Sequence, residues 1–179
     1  MSDQWEKVSS KEIHKNPWYR LMQDDVIMPS GQMGKYTYID RAPGAIIVAL
    51  NNDNEIYLVG QYRYPVQAFS WEIPMGTKEN NDADMMAAAR RELLEEVGLE
   101  AGLIEEIGTF SFSNGVSNQQ AHVFLARQLV QKEAKPDYTE FITMKRVALE
   151  EMENLIRQQE ITDGATLAAY YKLKLHLGL

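Results

Sequence analysis

The stretch Asp84 to Val97, DMMAAARRELLEEV, constrains the fold of this chain more than any other. It reads as a helix. Asp82 or Asp84 can cap it, three alanines favour it and Gly98 ends it. Met86, Ala89, Leu93 and Val97 form an apolar stripe at helical spacing. Glu92, Glu95 and Glu96 stand at i, i+3 and i+4 and share another face. The back of such a helix is buried while three carboxylates converge on one side.

The rest of the chain supplies strands for that helix to cover. Ala45 to Leu50 is a continuous apolar run of strand length, followed by the turn Asn51-Asn52-Asp53-Asn54. Glu55 to Tyr62 reads as a second strand, and Trp71 to Ile73 as a short one ending at Pro74-Met75-Gly76. Further strands are expected at Leu103 to Phe112, Ala121 to Leu129 and Phe141 to Val147. Glu150 to Gln159 and Ala165 to Leu177 read as helices, the latter capped by Thr162 or Asp163. Strands mixed with helices predict an α/β layered domain. Residues 1–42 differ from the remainder, being polar with scattered aromatics. Asp24 to Met28 and Met33 to Asp40 predict an antiparallel β-hairpin across the turn Pro29-Ser30-Gly31. The expected division is therefore 1–42 and 43–179.

Composition narrows the chemistry. With 45% hydrophobic and 25% charged residues, the chain has the make-up of a globular protein rather than a disordered or fibrous one. Cysteine is absent, which excludes thiol catalysis, Cys-ligated zinc, iron–sulfur clusters and disulfides. The net charge of −8 argues against a nucleic-acid partner. No stretch approaches the roughly 18–20 apolar residues of a membrane span, so no membrane partner is expected. The first residues lack the order of a signal peptide, and the expected location is cytoplasmic. His122 lies in an apolar strand and reads as a packed core residue. Met85 and Met86 fit helix packing.

Three carboxylates on one helical face suit a hard divalent cation, Mg²⁺ or else Mn²⁺. Holding them together without one is electrostatically costly. Arg91, four residues before Glu95, can pair with it and orient it. On the glutamates alone, a solvated acidic face is the ordinary reading.

The wider pattern changes the balance. Arg91-Glu92-Leu93-x-Glu95-Glu96-x-Gly98-Leu99 resembles the second half of the Nudix box, matching it at all seven specified positions. The first half departs from that pattern. Asp82 follows Gly76 at the right offset, but eight residues then precede Arg91, one more than the pattern allows. We read a one-residue insertion, with Asp82 in place of the box's first glutamate. Gln61-Tyr62-Arg63-Tyr64-Pro65 and Trp71-Glu72-Ile73-Pro74-Met75-Gly76 are similar to segments of the ADP-ribose and nucleoside-diphosphate-sugar branch of the family.

The resemblance implies an α/β fold, an α/β/α sandwich around a mixed sheet, with the box as loop–helix–loop. It implies Mg²⁺, with Mn²⁺ possible, held by Glu92, Glu95, Glu96 and the Met75 carbonyl. It implies that Arg63 contacts the substrate phosphates, a task that suits a guanidinium. Glu72 either binds metal indirectly or braces the loop. The base is Glu140, with Asp137 second and Glu95 competing from the helix. Ser113 to Gln119 is expected as an active-site loop, with Asn114 and Gly115 toward substrate. Asn114 stands where ADP-ribose hydrolases more often have proline, and the acid that follows there is missing. Trp18 and Tyr19 are candidates to stack on the base, or are core or dimer contacts. Members of the branch are often homodimers whose N-terminal strands cross to the partner.

The expected reaction is hydrolysis of the diphosphate of a nucleoside diphosphate sugar, such as ADP-ribose or GDP-mannose. The products are a nucleoside monophosphate and a sugar phosphate. Two alternatives stand beside it. One is a Nudix hydrolase of triphosphates or dinucleoside polyphosphates. The other is a non-catalytic nucleotide-sugar-binding regulator, against which the retained box glutamates argue.

Overall fold

A computed structural model of the chain describes residues 4–133 and 142–179. The chain divides into two compact units, one of residues 1–42 with 111–120, the other of 43–110 with 121–179. The 111–120 segment, placed with the second part by the sequence reading, thus belongs with the first unit.

The first unit is an antiparallel sheet of three strands, β1 (Glu6–Lys15), β2 (Arg20–Ile27) and β3 (Met33–Asp40), in that order. The expected hairpin is β2 and β3, with Gly31 at a φ of 82° in the turn between them. β1 was not foreseen, because EKVSSKEIHK has no apolar alternation and is exposed along its whole length. Polar cross-strand pairs accompany its ladder: Ser9 donates to Asp25 at 2.8 Å and Ser10 to Asp24. Residues 111–120 attach to β3 through Ile39 N–H to the Val116 carbonyl, 2.8 Å, and Asn118 N–H to the Ile39 carbonyl, 3.2 Å.

The second unit is built around β4 (Gly44–Ala49). This strand pairs parallel with β9 (Gln120–Gln131) and antiparallel with β7 (Met75–Thr77), in a mixed sheet that β8 (Leu99–Ser111) completes. A second sheet holds β10 (Thr143–Ala148), β5 (Glu55–Arg63) and β6 (Ala68–Glu72). Every residue of β4 is buried, as expected of a strand covered on both faces. Its side chains alternate between two cores. Ala45, Ile47 and Ala49 meet Ala88, Ala89, Leu93 and Val97 of α1 (Met85–Val97). Ile46 and Val48 join Met152 and Leu155 of α2 (Met152–Arg157) and Ala165, Ala169 and Leu173 of α3 (Gly164–Leu177). Helices therefore cover both sides of the strands, and the unit is an α/β/α sandwich.

Several elements differ in extent from the sequence reading. β6 begins before Trp71, and α2 keeps only the middle of Glu150 to Gln159, where Gln159 takes a φ of 62°. Phe141 lies outside the described residues, and β10 starts at Thr143. Met85 packs on the α1 core, but Met86 is exposed. His122 is not a core residue. Its Nδ1 lies 2.9 Å from Glu106 Oε1 at a partly open surface.

Candidate active site

The start of α1 is fixed by Asp84, which accepts the Ala87 N–H at 2.8 Å, and its end by Gly98 at a φ of 66°. Asp82 is thereby free for another task. Its carboxylate takes both edges of a fork from Arg91, Nε to Oδ1 at 3.1 Å and Nη2 to Oδ2 at 2.9 Å. The loop helps: Glu79 N–H donates to Asp82 Oδ2 at 2.8 Å, and Lys78 Nζ donates to the Asp82 carbonyl at 2.7 Å. The chain reaches Arg91 with an aspartate, shorter than glutamate by one methylene, across an extra residue.

The same guanidinium organises the helix front. Arg91 Nη1 lies 2.9 Å from both Glu92 Oε1 and Glu95 Oε2, and Nη2 donates to the Thr77 carbonyl at 3.1 Å. The expected Arg91–Glu95 pair is present, with Glu92 and Asp82 added to it. Glu96 turns inward instead. It is buried, and its Oε2 accepts the Met75 N–H at 3.0 Å. A carboxylate this deep needs such a donor.

Gly76 explains how Glu92 reaches the strand. A Cβ on residue 76 would overlap the Glu92 carboxylate, so only glycine lets that carboxylate lie against β7. Sequence spacing marked Gly76 as an element of the box but gave no partner for it.

Arg63 and Glu72 form a second polar group on the neighbouring sheet. Arg63 Nε donates to Glu72 Oε1 at 2.8 Å, and Nη2 donates to Glu72 Oε2. Glu72 is buried, while Arg63 is 39% exposed at its side chain. The Glu72 hydrogen bonds raise the Arg63 pKa against the opposing effect of burial, and the charges of Glu72, Glu96 and Asp163 add to the rise. Arg63 thus lies within the field of the box carboxylate Glu96. Ile73, next to Glu72, is held by its N–H to Thr166 Oγ1 at 3.0 Å, and Asp163 caps α3 at the Thr166 N–H, 2.7 Å. Glu72's role as the Arg63 partner was not legible in the sequence.

Four of the remaining expected site residues belong to the first unit. Trp18 and Tyr19 lie in the first unit, where their N–H groups both donate to Asn16 Oδ1 at 2.9 Å, and Trp18 is 70% exposed. Asn114 and Gly115 belong to the same unit, and the Gly115 carbonyl accepts Tyr36 Oη–H at 2.8 Å. Asp137 and Glu140 lie outside the described residues.

The Asp82 carboxyl is held below the usual carboxylate range, chiefly by hydrogen bonding to Arg91 and against the effect of burial. A depressed folded-state pKa gives stability that is present above the unfolded value of about 4 and is lost as pH falls through the folded value. Urea unfolding from pH 6 down to pH 2 should therefore weaken more steeply below about pH 4 in the wild type than in Asp82→Asn. Parallel curves would overturn this assignment.

A family model of the NUDIX domain matches residues 40–169, and one of the nucleoside diphosphate sugar hydrolase N-terminal domain matches residues 5–39. With the α/β/α sandwich and the acid-lined helix, the NUDIX match defines the class: a pyrophosphohydrolase acting on phosphorus-containing anhydrides. The chain belongs to the Nudix family. It is 34% identical over 175 residues to a methanol dehydrogenase activator of Bacillus methanolicus, covering 96% of this chain and 94% of that protein. It is 32% identical over 171 residues to an ADP-ribose pyrophosphatase of Bacillus subtilis (strain 168), covering 94% and 91%. The crystal structure of an ADP compounds hydrolase shares the fold, with a TM-score of 0.87 over 99% of this chain and 97% of that one, at 18% identity.

Nudix hydrolases use divalent cations. Among the described residues, no group of three or more His, Cys, Asp or Glu side chains is placed to hold a metal ion. The donors nevertheless have the right chemistry. They are hard carboxylate oxygens, and those of Glu92 and Glu95 already meet at one positive atom, Arg91 Nη1. The backbone recess at Gly76 seats the Glu92 carboxylate beside Met75. Glu92 and Glu95 thus carry oxygens of the kind a divalent ion takes, and in this structure Arg91 holds both.

Proposed function

We propose that this chain hydrolyses the diphosphate of a nucleoside diphosphate sugar, with ADP-ribose the first candidate and GDP-mannose the next. The products are a nucleoside monophosphate and a sugar phosphate. The observation that carries the reading is the Arg91-centred carboxylate group on α1, seated against Gly76. The match of residues 5–39 to a nucleoside diphosphate sugar hydrolase N-terminal domain supports the substrate class, as does the Bacillus subtilis relative.

In this reading Glu92, Glu95, Glu96 and the Met75 carbonyl hold Mg²⁺, or Mn²⁺ in its place. The cation, when bound, offsets phosphate charge and lowers the pKa of water. Arg63 steadies the phosphates by paired N–H donors. Glu140 takes the proton from water, with Asp137 or Glu95 as substitute. By the family resemblance, Trp18 and Tyr19 are candidates to stack on the base, and Asn114 and Gly115 to contact substrate. The fully exposed strand β1, at the edge of its sheet, suits pairing with a second copy in a homodimer. No helix among the described residues is long and apolar enough to cross a membrane, and the chain has no cysteine; we assign it to the cytoplasm.

The test is a panel of ADP-ribose, ADP-glucose, GDP-mannose and UDP-glucose with Mg²⁺. Added phosphatase releases phosphate from products only. Turnover on ADP-ribose that EDTA abolishes is the expected result. Silence on the whole panel with Mg²⁺ and Mn²⁺, or turnover of triphosphates alone, overturns the substrate reading.

The relative from Bacillus methanolicus favours a second reading, in which the chain activates a dehydrogenase. Adding it to a methanol dehydrogenase assay tests this, with an unchanged rate counting against it.

A further inference from the structure

We infer that Glu72 is a positioning residue: it grips one edge of the Arg63 guanidinium and thereby presents the other edge to a phosphate of the substrate. The inference rests on the proposed role of Arg63 in that reaction. A guanidinium offers two bidentate edges, one from Nε with Nη2 and one from Nη1 with Nη2. Glu72 takes the first edge with both of its oxygens. Among the described residues, Nη1 has no hydrogen-bond partner, so the second edge retains its donors for a tetrahedral anion.

Burial makes the grip rigid. The Glu72 side chain is only 4% exposed, whereas that of Arg63 is 39% exposed. The carboxylate is thus the fixed partner and the guanidinium the presented one. Two supports hold the fixed end. β6 pairs with β5 through Val59 opposite Glu72, and Ile73 N–H is tied to Thr166. A charge-assisted fork leaves the arginine few alternative rotamers, so less ordering remains to be done when a phosphate arrives. Without Glu72, Arg63 would keep its charge and lose its orientation.

The test compares wild type, Glu72→Gln, Glu72→Asp, Arg63→Ala and the double variant Arg63→Ala/Glu72→Gln on ADP-ribose with Mg²⁺. Glu72→Gln is expected to raise KM by about tenfold with kcat within about threefold, the signature of lost ground-state binding. In the Arg63→Ala background the same substitution should leave KM unchanged, because the residue it positions is gone. A KM unmoved by Glu72→Gln, or independent effects that multiply in the double variant, would overturn the inference. Melting temperatures report folding. Where the glutamine variant fails to fold, Glu72→Asp, which keeps the charge and shortens the reach, carries the test: its KM should rise about threefold with Arg63 present and stay unmoved in the Arg63→Ala background, and an unmoved KM with Arg63 present overturns the inference. If wild type leaves ADP-ribose untouched, the substrate reading fails by itself. Calorimetric affinity for inorganic pyrophosphate then replaces KM, with the same tenfold loss expected and an unchanged affinity overturning the inference.

Discussion

Replacing Gly76 by alanine is expected to lower kcat/KM about a hundredfold while the melting temperature falls less than in Arg91→Met. The added methyl would occupy the space of the Glu92 carboxylate. That carboxylate is the far end of a flexible side chain, so it swings away and the backbone has no need to shift. The fold survives. A carboxylate displaced by an ångström or more no longer meets Arg91 Nη1 or a cation at the proposed point. Gly164→Ala is the matching control, because a Cβ there meets nothing within 4 Å. Steady-state kinetics with thermal melts on the two variants separate the cases. Full turnover in Gly76→Ala would remove Glu92 from the proposed site.

Arg91→Met should cost both stability and activity. Arg91 is the shared partner of Asp82, Glu92 and Glu95. The side chains of Asp82 and Glu92 are only 7% and 12% exposed. Removing the cation leaves these buried carboxylates uncompensated, at about 3 kcal/mol, the low end for a broken buried pair because Glu95 remains open to water. For a chain of this size that corresponds to a drop of about 6–12 °C in melting temperature. Adding Asp82→Asn should restore part of the loss, since it removes one of the stranded charges. Arg91→Lys should fall between wild type and Arg91→Met, keeping the charge but losing the fork. A melting temperature unchanged in Arg91→Met would show that the carboxylates find other partners.

The sandwich was legible because its elements carry strong local signals. Ala45 to Leu50 has the continuous apolar character of a doubly covered strand. Asp84 and Gly98 mark both ends of α1, and Asp163 marks the start of α3. β1 was not legible, since a strand with no buried face has no alternation to read. The Arg91–Glu95 pair follows from spacing within one helix. The Asp82–Arg91 and Arg63–Glu72 forks do not. The first depends on how a loop folds back, and the second on the β5–β6 register that sets Val59 opposite Glu72 and Arg63 opposite Ala68. Glu96 illustrates a different limit. Helical periodicity placed it with Glu92 and Glu95, but β7 lies on one side of that face and draws it inward through the Met75 N–H. The sequence shows which face a residue occupies, not what crosses that face.

The alternation of β4 between two cores carries a consequence for how this chain accommodates changes of length. On the α1 side β4 presents Ala45, Ile47 and Ala49, and on the other Ile46 and Val48, with Leu50 following just past the strand. A single residue inserted or deleted within β4 would exchange these two sets, forcing branched side chains against Ala88 and Ala89 and leaving gaps beneath α3. Insertions and deletions are therefore expected to be purged from the strand even where substitutions survive. The extra residue between Asp82 and Arg91 shows the opposite regime. Asp82 lies in the loop before the capped start of α1, and its carboxylate still reaches the arginine. A library of single-residue insertions along the chain, scored for folding, would draw this contrast as a map of permissive loops and forbidden strands.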